Sequence, residues 1–365
     1  MHSISTAEID SIKVFFIIGR PRSGTTMLRT LFDALPEVSI PLESKVMILL
    51  YLKYGKIQKW NRDLISKFHA EAMAETKLQA WQINKENTLN DMLQLDSSAT
   101  FSRLIKILYL NYLSFYDKET ILYIGDKNPE YSYVLYYLKI LLSVFPEAKV
   151  IHLTRDYRDH YLSMSRVDFE GNHLSLVSYR WKYSFLGIKK IMKSRPDNYY
   201  FIRYEDLVQE PGLYLKKMCD FLGIRYHESA LRFYEKKDEV LKVYSYEDVM
   251  RYHSNLFSPI SADFIDKWKT RMSDVDIARA DFITGKAGIE AGYIRGEQST
   301  RFFNNYFWLL KQWLYVLPDR VYSRCWLVYK RLFDRMNPGG SRRTPFMSKI
   351  YFKIFRRHKK KSPSA

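Results

Sequence analysis

The sequence predicts an α/β fold: three layers, with a mostly parallel central sheet flanked by helices, followed by a helical C-terminal appendage. Three observations predict it. The apolar run Val14–Ile18 ends in a glycine-bounded turn that leads into a segment of helical spacing. Further short apolar runs at Ile121–Ile124, Val150–Thr154 and Tyr199–Ile202 alternate with helical stretches, the pattern of a parallel sheet built by crossovers. A length of 365 residues with 47% hydrophobic content can bury a core without a disulfide or metal staple.

Taken in order, Val14–Ile18 is β-branched and aromatic, as a strand covered on both faces should be. Met27, Leu28, Leu31, Phe32 and Leu35 then recur at helical spacing. Helices are predicted over Phe101–Phe115, Tyr131–Val144, Arg158–Arg166 and Leu174–Lys193, and the second half of the chain reads as mainly helical. A boundary near Gly296–Thr300 separates a domain of residues 1–296 from a basic, aromatic-rich region of residues 297–365, in which Pro338-Gly339-Gly340 breaks the last helical stretch.

The formal charge of +18 is concentrated at one end. From Arg301 onward there are 16 basic and 2 acidic residues, which leaves 42 and 38 in the first 300. The basic character therefore belongs to the tail and says little about what the body binds. Phe303, Phe307, Leu310, Trp313, Leu314 and Leu317 lie three and four apart beside Lys311, Arg320, Arg324, Lys330 and Arg331, the pattern of helices lying on an anionic membrane surface. A core-packed helical pair with a solvated tail fits the same spacing, and a nucleic-acid-binding tail fits the charge less well. No run of about 18 apolar residues occurs, and the N-terminus has no signal-peptide pattern, so a cytoplasmic protein, peripheral at the inner face of a membrane, is expected. The two cysteines, Cys219 and Cys325, form no zinc or disulfide pattern. HExxH and GxSxG are absent from the sequence, so metal hydrolysis and serine-nucleophile chemistry lack support and no metal is expected.

Gly19-Arg-Pro-Arg-Ser-Gly24-Thr25-Thr26 has the GxxxxG spacing of a P-loop. Backbone N–H groups at such a turn, with the following helix N-terminus, cradle an anion. Thr25 stands where the P-loop lysine would be, which disfavours nucleoside triphosphate chemistry such as that of a nucleotide kinase, while Arg22 can supply a cation. At the end of the third apolar run, Arg155 sits where open α/β sheets bind ligands, and Ser163 lies two helical turns further on. An arginine fork with a hydroxyl suits a phosphate monoester, though Arg155 and Asp156 could also simply cap a helix.

GRPRSGTTMLRTLFDALPEV resembles the 5′-phosphosulfate loop of sulfotransferases that use 3′-phosphoadenylyl sulfate (PAPS), especially the tyrosylprotein sulfotransferases and their bacterial relatives. The resemblance implies that Arg22, Ser23, Gly24, Thr25 and Thr26 grip the 5′-phosphosulfate. It implies that Arg155 and Ser163, in RDxRDxxxSxxxR, hold the 3′-phosphate, with Arg166 one residue short of a second basic position. Tyr204 in IRYEDLV is similar to a nucleotide-contacting tyrosine, or else packs on the core. Lys267-Trp268 resembles a basic loop that closes over the nucleotide, and Ser254 is off-register for a further contact. Glu43 falls at the offset of the family's glutamate base, with Leu42 where a glutamate usually precedes it; the other reading is a cap for the next helix. Lys127, in GDKNP, resembles the transition-state lysine, or else pairs with Asp126 on the surface. His160 and His253 rank below Glu43 as bases, and His152 is expected to be packed. The implied reaction is sulfuryl transfer from PAPS to a hydroxyl on a carbohydrate, lipid or tyrosine. A lipid or lipid-linked glycan follows if the tail binds membrane. The inserts at Lys53–Ser98 and Phe169–Leu176 are expected to shape the acceptor cleft.

Overall fold

The computed structural model describes residues 5–167, 173–236, 258–297, 299–300 and 306–336. In order, its elements are α1 (Thr6–Ser11), β1 (Lys13–Ile18), α2 (Thr25–Asp33), β2 (Val38–Ser39), α3 (Val46–Tyr54), α4 (Arg62–Met73), α5 (Lys85–Gln94), α6 (Phe101–Leu110) and β3 (Tyr123–Lys127). They continue with α7 (Leu135–Val144), β4 (Lys149–Thr154), α8 (Tyr157–Met164), α9 (Leu174–Met192), β5 (Tyr199–Arg203), α10 (Tyr204–Gln209) and α11 (Pro211–Leu222). Later helices are Trp268–Arg271, Asp274–Thr284, Lys286–Glu290 and Tyr306–Met336. Ser254, His253, Phe303 and Pro338-Gly339-Gly340 lie outside the described residues, as do residues 168–172 of the second insert.

The chain divides into two compact units, Met1–Arg155 with Gly187–Ile265, and Asp156–Leu186 with Asp266–Ala365. The first holds the five-stranded sheet, in the order β2-β3-β1-β4-β5 with every pairing parallel. β1 is central and buried from Val14 to Ile18, which is why that stretch is an unbroken apolar run. The predicted α/β fold, with a mostly parallel sheet and flanking helices, is the observed one.

Some boundaries differ from the sequence reading, each for a local reason. β3 begins two residues later than the run Ile121–Ile124 and extends through Gly125, Asp126 and Lys127. Polar residues continue the strand because Phe15 to Ile17 of β1 pair with it in register, whatever the side chains. α6 stops at Leu110 rather than Phe115, and Tyr112 beyond it donates its hydroxyl to Asp33 at 3.0 Å. Pro129 opens a 3-10 turn, Pro129–Ser132, capped by Asn128, and α7 starts only at Leu135.

Strand order decides where a ligand can go. The chain leaves β1 towards β2 on one side and leaves β4 towards β5 on the other. The loops after β1 and β4 therefore diverge at the carboxyl ends of adjacent strands, the switch point at which open sheets of this kind bind ligands.

In the second unit, α8 is tied to the later helices by a buried polar cluster. Asp156 caps α8 by accepting from the Arg158 N–H, and Arg158 returns a two-pronged bond at 2.9 and 2.7 Å. The Arg158 guanidinium lies 3.6 Å from the Trp268 ring centre, and Asp159 accepts from the Trp268 N–H at 2.9 Å. Tyr157 donates to Asp281 at 2.6 Å, so each of these buried charges has a counter-charge or donor.

Candidate active site

Four neighbouring strand ends in the first unit carry the residues that the sequence singled out. Across the sheet they are β3 with Lys127, β1 with the Gly19–Gly24 turn, β4 followed by Arg155, and β5 followed by Tyr204. Parallel pairing puts all four on the same edge; nothing in local sequence does so.

The turn is a close-fitting, strained cradle. Arg22 has φ 66° and Gly24 φ 89°, both left-handed. For arginine that conformation carries strain, which the surrounding structure must hold. A Cβ on Gly24 would meet the Tyr204 ring at 2.6 Å, and one on Gly19 would meet the Leu153 carbonyl oxygen at 2.3 Å, so both glycines are required by space. Gly24 is also the N-cap of α2, leaving the first N–H groups of that helix directed at the turn. Ser23 is fully buried and its Oγ has no protein partner among the described residues. A buried hydroxyl in a ring of backbone donors fits an anionic group.

Arg155 leaves β4 on the other side of this turn. It donates to the Arg22 carbonyl at 3.4 Å and the Phe264 carbonyl at 2.5 Å, and its guanidinium lies 4.8 Å from the Tyr204 ring centre. The cap of α8 is Asp156, which pairs with Arg158. Tyr204 thus touches both the cradle glycine position and the arginine. It is also buried in the core cluster, as the packed reading of this tyrosine expects.

Glu43 does not cap a helix: the N-cap of α3 is Lys45. Its segment is held on both sides by side chains that bond its backbone. Trp81 Nε1 donates to the Leu42 carbonyl at 2.7 Å and Asn128 Nδ2 to that of Ser44 at 3.0 Å. The carboxylate so placed meets Lys127 Nζ at 2.9 Å, and that ammonium also lies 3.3 Å from Thr26 Oγ1 in the cradle. Lys127 is almost wholly enclosed, with 3% of its side chain exposed against 34% for Glu43. It points away from Asp126, because successive strand residues face opposite sides. Asp126 instead accepts from Tyr131 at 2.7 Å, and burial raises its carboxyl to about 6 despite that bond.

Lys77, which no sequence pattern pointed to, reaches Glu43 at 3.3 Å from the 3-10 turn Thr76–Trp81. It comes from the Lys53–Ser98 insert, whose Trp81 also pins Leu42. Burial alone would raise the Glu43 carboxyl, but Lys127 and then Lys77 outweigh it and lower it to about 2. The carboxylate is therefore ionised and held between an enclosed cation and an exposed one.

His152 is buried in β4 with Nδ1 2.7 Å from the Tyr199 hydroxyl, and desolvation lowers its imidazole to about 3. Ser163, Arg166 and Lys267 belong to the second unit, as does His160, which is buried. Ser163 is in the last turn of α8, Arg166 lies just past its end, and Lys267 is the N-cap of helix Trp268–Arg271.

The family model described as "Sulfotransferase family" matches residues 15–228. This chain belongs to the sulfotransferase family. The matched span contains the whole cradle and Glu43, Lys127, Arg155, Ser163, Arg166 and Tyr204, with Lys267 beyond it. Membership removes the kinase reading that glycine spacing alone left open. Protein-tyrosine sulfotransferase 1 of Danio rerio is 26% identical over 263 residues, covering 70% of this chain and 65% of the relative. The chain thus spans just under two-thirds of that sulfotransferase's length. An omega-hydroxy-beta-dihydromenaquinone-9 sulfotransferase of Mycobacterium bovis is 30% identical over 118 residues, 27% of this chain and 28% of the relative. Among solved structures, the sulfotransferase domain of the Synechococcus olefin synthase superposes with a TM-score of 0.53 at 21% identity, covering 76% of this chain and 95% of that domain.

Proposed function

We propose that this protein transfers a sulfuryl group from PAPS to an acceptor hydroxyl, with Glu43 as general base. The observation that carries the reading is the run of cradle, Arg155 and Tyr204 along adjacent strand ends, with Lys127 bridging the cradle to Glu43 at 2.9 Å. PAPS supplies an activated sulfuryl group joined to a 5′-phosphate. Ser23, Gly24, Thr25 and Thr26 offer N–H and hydroxyl donors to that end, and Arg22 offers a cation. Arg155 and Ser163, with Arg166 and Lys267 as further cations, take the 3′-phosphate, and Tyr204 flanks the nucleotide.

The chemistry assigns one role to each group. Glu43 takes the acceptor proton, the acceptor oxygen bonds to sulfur, and the bond from sulfur to the bridging phosphate oxygen breaks, leaving 3′,5′-ADP. Lys127 and Arg22 stabilise charge on the sulfuryl and bridging oxygens. A carboxyl held near 2 is a weak base. It strengthens as Lys127 turns from it to the sulfuryl oxygens, so the base gains proton affinity when the donor is engaged.

Thermal melting tests the donor. 3′,5′-ADP raises the melting temperature and ATP with Mg²⁺ does not; the reverse result would favour a triphosphate-binding protein. Arg155→Ala weakens 3′,5′-ADP binding by about 1.5–3 kcal/mol, the scale of a hydrogen bond to a charged group. Unchanged affinity by calorimetry would remove the 3′-phosphate assignment.

Lys77→Met tests the base. Losing one of the two cations raises the Glu43 pKa from about 2 towards its ordinary 4.5, so the acid limb of the kcat/KM profile moves to higher pH. Lys77 is half-exposed, so the movement is small and is reproduced in the parent enzyme by raising salt. A profile indifferent to both would separate Lys77 from the base.

The acceptor is a hydroxyl compound. One relative is named for protein tyrosine and another for a menaquinone-derived lipid, and a carbohydrate is the third class. Incubation with ³⁵S-labelled PAPS and one acceptor from each class separates them.

A further inference from the structure

We infer that helix Tyr306–Met336 lies in the headgroup layer of an anionic phospholipid membrane, with its outward apolar stripe inserted and its basic residues at the lipid phosphates. Phe307, Leu310, Trp313, Leu314, Leu317, Val321, Val328 and Leu332 are all exposed, Phe307 at 82%, Leu314 at 64% and Val328 at 60%. At 3.6 residues per turn these positions fall within an arc of about 120°. Contiguous exposed apolar surface of this extent marks an interaction face.

The charge identifies the occupant. Arg320, Arg324 and Arg331 fall along one margin of that arc and Lys311 along the other. Arg320 stacks on the exposed Trp313 at 5.0 Å, so cation and indole meet at the boundary between apolar and polar faces. The helix sequence holds six basic and two acidic residues, and residues 337–365 add nine basic and none acidic. A second copy of the same face would bring these cations together. A nucleic acid would satisfy the cations and leave Leu314, Leu317, Val321 and Val328 in water. An anionic bilayer satisfies both faces at once. Spanning is excluded for this helix, since no described helix is long and apolar enough to cross a membrane. Its other side already has a partner, as Trp308 packs edge-on against Phe282 at 6.0 Å.

The test uses the full-length protein and vesicles of phosphatidylcholine with or without about a third phosphatidylserine. The protein floats with the anionic vesicles and stays behind with the neutral ones. Tryptophan emission is quenched by lipids brominated near the headgroup. The variant Leu314→Ser, Val321→Ser, Val328→Ser keeps every charge and removes apolar surface from exposed positions, and it lowers vesicle partitioning at least 10-fold. Its melting temperature and 3′,5′-ADP binding match the parent, which keeps the result independent of the donor site. Equal partitioning of variant and parent would reduce the contact to electrostatics and overturn insertion. A parent that ignores anionic vesicles, and whose sedimentation changes from dimer to monomer with the serine substitutions, would assign the face to a second copy. Tight binding to duplex DNA, unaffected by the serines and unmatched by vesicles, would assign the region to nucleic acid.

Discussion

Replacing Glu43 with Gln lowers turnover by roughly 10²- to 10⁴-fold, the range of a lost general base, while 3′,5′-ADP still binds. Glutamine keeps the shape and can still accept from Lys127, so the segment between the Trp81 and Asn128 bonds is not disturbed. What disappears is the only carboxylate that Lys127 contacts among the described residues. Single-turnover measurement with labelled PAPS isolates the transfer step, and calorimetry with 3′,5′-ADP shows that the donor site survives. The two readouts separate a base from a positioning group. A positioning group would weaken donor or acceptor binding with turnover at saturation nearly unchanged. Full turnover in the glutamine variant would sink the assignment and turn attention to His160, since His152 is committed to Tyr199 and held neutral.

Lys127→Met lowers turnover by roughly 10²- to 10³-fold, the loss typical when one preorganised donor to developing charge is removed. Methionine fills the enclosed space and carries no charge, so the loss is not confounded by a cavity. The substitution has a second signature whose sign follows from the pair. Glu43 is held low by Lys127 more than by Lys77; without Lys127 its pKa rises and the acid limb of the residual activity moves to higher pH. The movement exceeds that of Lys77→Met, because Lys127 is enclosed and closer, at 2.9 against 3.3 Å. A Lys127 variant with normal turnover, or with its acid limb unmoved, would make the lysine a structural counter-ion.

Arg22 and Gly24 explain why the cradle could be found from sequence and Lys77 could not. The octet from Gly19 to Thr26 is contiguous, and its chemistry is backbone chemistry: left-handed residues at fixed offsets, a helix N-terminus, two hydroxyls. Such a site is written locally. Arg155 was legible for a related reason, since it ends an apolar run and strand ends are where parallel sheets bind ligands. Lys77 reaches Glu43 across 34 residues of chain, from an insert with no motif of its own. Only the packing of that insert, and the Trp81 bond to Leu42, brings the two together.

By itself the sequence determined the class of fold, the position of the phosphate cradle and the set of candidate residues, because hydrophobic period, glycine spacing and helix starts act over a few residues. Tertiary structure decided which candidates meet. Strand order put Lys127, the cradle, Arg155 and Tyr204 on neighbouring strand ends. It turned Lys127 towards Glu43 rather than Asp126, through the alternation of β3, and it gave the cap of α8 to Asp156 and that of α3 to Lys45. Those choices depend on register and long-range contact, for which a linear pattern of residues carries no signal.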